Sequence, residues 1–207
     1  MRTFTIKDLY QKSFLTLPLT GVWFDVFGEP ERSGKMWLVY GAEKNGKTWF
    51  CVMLAYYLSK SEKVLYISAE QGMDKSFLDT CQRVGIPESS KNFQMYGYVS
   101  IEKLKKRLSK RYAPKIIFID NITVYNDELR AKELDALMKE HHDKLFIFIA
   151  HEERGEPYTA TAKRISKLAD RICRVQGLVC TIGGRTEGNV FVIDEEKAQL
   201  IHGTELK

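Results

Sequence analysis

The sequence predicts an α/β fold: a mainly parallel sheet covered by helices on both sides, with antiparallel strands added at one edge. Three observations carry this expectation. Four short segments, 36–40, 63–70, 115–120 and 144–151, carry continuous apolar runs rather than alternation, as strands buried on both faces do. A segment of helical periodicity follows each of them. Three strand-like segments, "RICRVQ", "LVCTIG" and "NVFVID", then close the chain with no helix between them.

Taken in order, residues 1–20 read as an arm and 21–207 as one domain. In the arm, Thr5 with Asp8 has the pattern of a helix start, and Ile6, Leu9 and Tyr10 share one helical face, with Pro18 and Gly21 ending the helix. "MWLVY" (36–40) is a buried strand and 46–60 a mostly buried helix. "KVLYISAE" (63–70) is the next strand, expected beside the first. Residues 73–85 have helical spacing up to Gly85, and 92–97 form a short strand. An amphipathic helix follows over 100–112 with Ser100 as its cap. "KIIFID" (115–120), a helix over 126–142, "KLFIFIAH" (144–151) and a helix over 159–170 complete the alternation.

Composition narrows the classes. The 207 residues are 44% hydrophobic and 29% charged with 5 prolines, which suits one packed core and excludes a disordered or fibrous chain. A net charge of +5 is mildly basic, compatible with nucleic acid without requiring it. Cys51, Cys81, Cys173 and Cys180 have no zinc or redox spacing, and three lie in apolar runs, so buried thiols in a reducing compartment are expected. No apolar run approaches 18 residues, and the N-terminal stretch lacks a leader's apolar core; the expectation is a soluble, cytoplasmic protein with no membrane partner.

In parallel sheets of this kind ligands gather at the carboxyl ends of the strands. The residues that should converge are therefore 41–48, Glu70, Asp120 and His151. "GAEKNGKT" (41–48) fits the pattern G-x-x-x-x-G-K-[ST] at every fixed position, which chance produces in on the order of one per cent of chains this long at ordinary glycine frequency. Gly41 and Gly46 let the backbone turn and bring its amides close to phosphate. The helix opening near Gly46 points its positive end at the anion. Lys47 reaches the β- and γ-phosphates, and the Thr48 hydroxyl binds Mg²⁺. Ala42, Glu43, Lys44, Asn45 and Trp49 complete the segment in contact with the nucleotide. Asp120, at the tip of a buried strand, holds Mg²⁺ through a water beside Thr48. Glu70, at the tip of another, orients or deprotonates the water that attacks the γ-phosphate.

These residues resemble a known family. "LTGVWFDVFGEP", "SGKMWLVYGAEKNGKT", "VLYISAEQG", "KIIFIDN" and "FIFIAHEERGEP" together look like the RecA-like ATPase core, a three-layer α/β/α domain, with the RadA/Sms repair ATPase and the DnaB-type hexameric helicases as its nearest branches. The resemblance spans about 20–196 and implies ATP and Mg²⁺ as cofactors. It gives Glu70, in "SAEQ", the family's catalytic glutamate and His151 its polar sensor. "GGRTEG" resembles the hairpin whose arginine reaches a neighbouring subunit's nucleotide. Arg185 takes that role, although Gly183 stands where the family often has a lysine, and Arg154 is its rival. The implied protein self-associates as a ring or filament and works in replication, repair or recombination on DNA, single-stranded more than double-stranded. The 1–17 segment packs on its own core or, as such arms do in RecA-like assemblies, docks on the next subunit. The expectation is a bare core, without a zinc motif ahead of it and without an added protease-like or primase-binding domain.

Other readings stand beside this one. "EERGEP" after His151 has three glutamates against one arginine, which repels nucleic acid. The basic cluster over 103–115 reads as a solvated helix face, and His141 and His142 as helix-end residues without a metal role. Trp49, Phe50, Tyr56 and Tyr57 read as packing residues rather than a base-stacking platform. A P-loop kinase for a nucleotide or small molecule, and a nucleotide-gated regulatory module with weak hydrolysis, use the same phosphate loop.

Overall fold

The computed structural model describes residues 3–185 and 189–202. Among the described residues nine strands form one sheet: β1 (Lys35–Gly41), β2 (Val64–Ser68), β3 (Phe93–Tyr96), β4 (Ile116–Asp120), β5 (Leu145–Glu153), β6 (Glu156–Pro157), β7 (Arg171–Gln176), β8 (Val179–Gly184) and β9 (Asn189–Val192). Their order is β3-β2-β4-β5-β1-β7-β8-β9, with β6 paired to β5. From β3 to β7 all neighbours are parallel, and β7, β8 and β9 are antiparallel, as the closing run of strands predicts.

The helices are α1 (Ile6–Tyr10), α2 (Val22–Phe27), α3 (Lys47–Ser59), α4 (Lys75–Val84), α5 (Ile101–Leu108), α6 (Ala131–Glu140), α7 (Ala160–Leu168) and α8 (Glu195–His202). Alternation along the strands gives each face of the sheet its own core. Trp37, Val39, Ile116, Phe118, Ile147 and Ile149 face α2, α3 and α4, where Trp23, Phe50, Leu54 and Phe77 meet them. Leu38, Ile117, Ile119, Phe146 and Phe148 face α5, α6 and α7, where Leu104, Leu134, Leu137 and Ile165 close the opposite layer. The result is a three-layer α/β/α domain.

Four features differ from the sequence reading. β2 does not lie beside β1: β4 and β5 stand between them. The central place goes to β5, whose first six residues, Leu145 to Ala150, are all buried, and only a strand apolar on both faces suits that position. Helix α1 keeps its expected capping box, Thr5 with Asp8, but ends at Tyr10. Beyond it the chain pairs with 30–32: Leu17 N–H donates to the Pro30 carbonyl and Arg32 N–H to that of Leu15. Leu17 and Leu19 are buried in the core, so the exposed part of the arm stops before them. Helix α6 starts five residues later than 126, because Tyr125 and Leu129 are drawn fully into the core by a 3-10 turn over Ile122–Tyr125. Finally α8, which the closing strands hid, follows β9; Asp194 caps it and Ala198 is its buried anchor.

Three of the four cysteines are buried and Cys81 half-buried, and all are free. Burial pushes the Cys51 and Cys180 thiols well up, so they are inert. Among the described residues no helix is long and apolar enough to cross a membrane.

Candidate nucleotide site

The carboxyl ends of β1, β2, β4 and β5 frame a cleft of about 560 Å³. β1 delivers the chain to it at Gly41. This glycine answers to packing as much as to phosphate: a Cβ there would lie 2.1 Å from the Val175 carbonyl of β7. The turn that follows needs left-handed backbone at Lys44 (φ 60°) and Gly46 (φ 98°). Asn45 ties the loop down. Its Oδ1 accepts from Gly177 N–H at 2.6 Å, its carbonyl accepts from Leu178 N–H at 3.2 Å, and its Nδ2 donates to the Glu43 carbonyl at 2.9 Å. The β7–β8 turn thus buttresses the loop. Gly46 then opens α3, whose first amides have no intrahelical acceptor and face the cleft end of the sheet.

Lys47 is buried, and its Nζ donates to the Ala42 carbonyl at 2.8 Å, curling over the loop's own backbone. Burial lowers its pKa, against the raising field of Asp120. Thr48 Oγ1 donates to Asp120 Oδ2 at 3.0 Å, so the two expected metal groups are neighbours. The same oxygen accepts from Tyr66 O–H at 2.6 Å. Burial raises the Asp120 carboxyl above its usual value, and the hydrogen bonds from Tyr66 and Thr48 oppose that rise. A hard divalent cation takes carboxylate and hydroxyl oxygens. A buried carboxylate whose ionised form is under-compensated fits such a cation, and so does this pair.

Glu70 lies in the turn after β2. The register of β2 with β4 sets Ser68 opposite Asp120, which carries Glu70 out over the cleft. Asn121 Nδ2 donates to its Oε2 at 3.2 Å, and His151 Nε2 lies 3.1 Å from both carboxylate oxygens. His151 is there because β1 and β5 pair Gly41 with His151. Asn121 is fully buried and its own Oδ1 accepts from Thr123 N–H and O–H, so its amide is fixed in the orientation that donates to Glu70.

Lys47, Thr48, Glu70, Asp120 and His151 therefore converge, and with Glu43, Lys44, Gly46 and Trp49 they line one cleft. Arg185 does not join them. It follows β8 at the opposite end of the sheet, where its guanidinium lies 3.9 Å from Asp170 and donates to the Leu168 carbonyl at 3.5 Å. The tip of its hairpin, 186–188, lies outside the described residues. The rival Arg154 is at the cleft end of the sheet, in a two-residue turn between β5 and β6 where it and Gly155 both have positive φ (53° and 84°).

The sequence reading missed Tyr66 and Asn121, the groups that hold the two carboxylates. A lone tyrosine in the aliphatic strand "VLYIS" and an amide directly after the aspartate were the available signals. Trp49 stands between its two expected places, packed against the core on one side and lining the cleft on the other. Phe50 is core as expected, but Trp49 is half-buried at the cleft, with Arg83 Cζ 4.6 Å and Lys197 Nζ 5.4 Å from its ring centroid.

No protein-family model and no curated protein matches the chain. Solved structures do. The flagellar accessory protein FlaH from Methanocaldococcus jannaschii superposes with a TM-score of 0.62 at 18% identity, over 88% of this chain and 96% of that one. With the sheet order and the antiparallel closing strands, this likeness establishes the fold as that of a RecA-like domain.

Proposed function

We propose that the protein is an Mg²⁺-dependent ATPase of RecA-like architecture. One observation carries the reading: Thr48 and Asp120 in hydrogen-bond contact at the foot of the phosphate loop, with the Glu70 carboxylate held in the same cleft by Asn121 and His151. The loop amides and Lys47 bind the triphosphate. Mg²⁺, held by Thr48 and Asp120, would supply charge neutralisation at the β- and γ-phosphate oxygens. Glu70 accepts the proton of, or aligns, the attacking water, and His151 with Asn121 keeps its carboxylate aimed.

In this reading the catalytic arginine comes from a second copy. Arg185 stands at the far end of its own sheet from its own cleft, which suits action on a neighbour's cleft in a ring or filament, and Arg154 in the β5–β6 turn is its rival. Such an arginine raises hydrolysis by about 10³–10⁵. Action on single-stranded DNA in replication, repair or recombination is the finer form of the proposal. It is supported by the resemblance of "SAEQ", "KIIFIDN" and "GGRTEG" to the DnaB and RadA branches.

The competing reading is a nucleotide-gated accessory module. The α5 cluster favours it, since Lys105, Lys106 and Lys115 are paired with Glu140, Glu102 and Asp143 and so are partly withdrawn from any polyanion. A flagellar accessory protein also carries this fold, so the fold alone names no polymer.

The test is steady-state ATPase measured across protein concentration, with and without single-stranded DNA. The proposal expects turnover to rise more than linearly with protein, and equimolar mixing of Arg185→Ala with Lys47→Ala chains to restore activity that neither shows alone. Strict proportionality would remove the trans arginine, indifference to DNA would favour the accessory module, and absence of ATP binding would remove the ATPase itself.

A further inference from the structure

The turn between β7 and β8 holds the phosphate loop by its amides and is itself held by its carbonyls. Pairing of Gln176 with Val179 leaves Gly177 and Leu178 as a two-residue turn, and both have positive φ, 56° and 64°. Such angles suit a tight hairpin, but a leucine rarely adopts left-handed backbone. Contacts on two sides keep it there. Toward the loop, Gly177 N–H donates to Asn45 Oδ1 at 2.6 Å and Leu178 N–H to the Asn45 carbonyl at 3.2 Å. The Leu178 side chain takes the room that a side chain at Gly46 would need: a Cβ there would lie 2.7 Å from its Cδ2.

Away from the loop, the end of α8 covers the turn. His202 Nε2 lies 3.1 Å from the Gly177 carbonyl and 3.3 Å from that of Gln176. Two carbonyl acceptors require the proton on Nε2. The fit is close: a Cβ on Gly177 would lie 2.2 Å from that nitrogen and 2.9 Å from Ile201 Cγ2. Just ahead of the helix, Ile193 N–H donates to the Leu178 carbonyl at 2.9 Å. α8 has little other hold on the domain. Ala198 is its buried residue, while Leu200 and Ile201 are exposed.

We propose that α8 is a clamp on the phosphate loop, and that His202 is a positioning residue for the nucleotide site, acting through the Gly177–Leu178 turn on Asn45. This rests on the ATPase reading. Amides bind a phosphate tightly only where they are turned toward it beforehand, since ordering them on binding costs affinity. α8 fixes the turn, and the turn fixes the loop. Docking of α8 and binding of nucleotide then favour each other, and the coupling runs equally in both directions. A helix that merely covers the turn would show neither effect.

The experiment is a calorimetric titration of the full chain with MgADP, joined to hydrogen exchange of residues 41–48 and 195–202. It compares wild type with His202→Ala, His202→Gln, Asn45→Ala and the His202→Ala/Asn45→Ala double variant. His202→Ala should lower MgADP affinity about three- to tenfold, the range of one hydrogen bond's net worth. It should also speed exchange in the ligand-free loop while the sheet exchanges as before. His202→Gln keeps a donor and should recover most of the affinity. Asn45→Ala should lower affinity as well, and adding His202→Ala to it should change affinity by less than about twofold, because the route is already cut. MgADP should slow exchange of α8 in wild type. Lys197 of α8 lines the cleft, so the decisive sign is that this protection shrinks in Asn45→Ala, where Lys197 is untouched. Unchanged affinity in His202→Ala, losses that add in the double variant, or α8 protection that survives Asn45→Ala would each reduce the helix to a cover and leave the ATPase reading standing. If wild type binds no MgADP, the ATPase reading falls and the clamp with it.

Discussion

The amino end of the sheet and the cleft at its carboxyl end carry the same kinds of carboxylate and hold them differently. At the amino end opposite charges are paired directly. Lys115 and Lys144 share Asp143 at 2.7 and 3.2 Å, Lys105 meets Glu140 at 2.9 Å, and Lys35 reaches Glu31 and Asp170. At the carboxyl end Glu152 is also paired directly, with Arg174 at 2.8 Å, but the two carboxylates that face the cleft are held otherwise: Asp120 by two hydroxyls, Glu70 by an amide and an imidazole. Direct pairing spends a charge on the fold, whereas a hydroxyl or amide fixes the side chain and leaves its charge for a ligand.

That contrast can be broken in order of expected effect. Glu70→Gln should cut turnover by about 10²–10⁴ while ATP affinity stays within a few-fold, measured by single-turnover hydrolysis and equilibrium binding; undiminished turnover would show that the carboxylate only fills space. Lys47→Ala should weaken MgATP binding by about a hundredfold, the worth of a charge-assisted contact to phosphate, with little change in melting temperature.

Asp120→Asn should abolish the Mg²⁺ dependence of binding yet raise the melting temperature of the ligand-free protein. Its folded pKa is raised by burial, so the ionised form is penalised in the fold. Stability is therefore lost as pH climbs from the usual carboxylate value through the folded one. Asparagine cannot ionise and still accepts from Tyr66 and Thr48. A gain of ~2–4 °C per kcal/mol relieved is expected, and a fall would mean that the carboxylate's hydrogen bonds outweigh its burial.

The amino end should behave inversely and more weakly. Against the cost of burial, hydrogen bonds from Lys115 and Lys144 hold the Asp143 carboxyl at about 2, below its ordinary 3.8. Its contribution is present above about pH 4 and lost as pH falls toward 2. The carboxylate is nearly half exposed, so Asp143→Asn should cost less than about 1 kcal/mol at pH 7, read by urea melts, and nothing in ATP turnover.

The parts of the site legible in the sequence were those where residue type and spacing suffice. A loop of fixed glycines before Lys47 and Thr48, and acids at the tips of apolar strands, announce themselves locally, and so do caps such as Thr5 and Ser100. Strand order was not legible, because every parallel strand reads alike until β4 and β5 are seen to separate β2 from β1. Partners joined only through that order were lost with it: Tyr66 to Asp120 across 54 residues, and Arg83 and Lys197 to Trp49. α8 had its signal in Asp194, three residues before Lys197, but the preceding run of strands masked it.

Gly41 has a practical consequence for anyone dissecting this loop. The backbone of β7 runs so near that the position works as a spacing gauge between two strands, and any side chain there would wedge the sheet apart. A substitution at this glycine would report on assembly of the fold while mimicking loss of a ligand contact. Of the loop's signature residues, the lysine rather than the first glycine is the clean place to silence it.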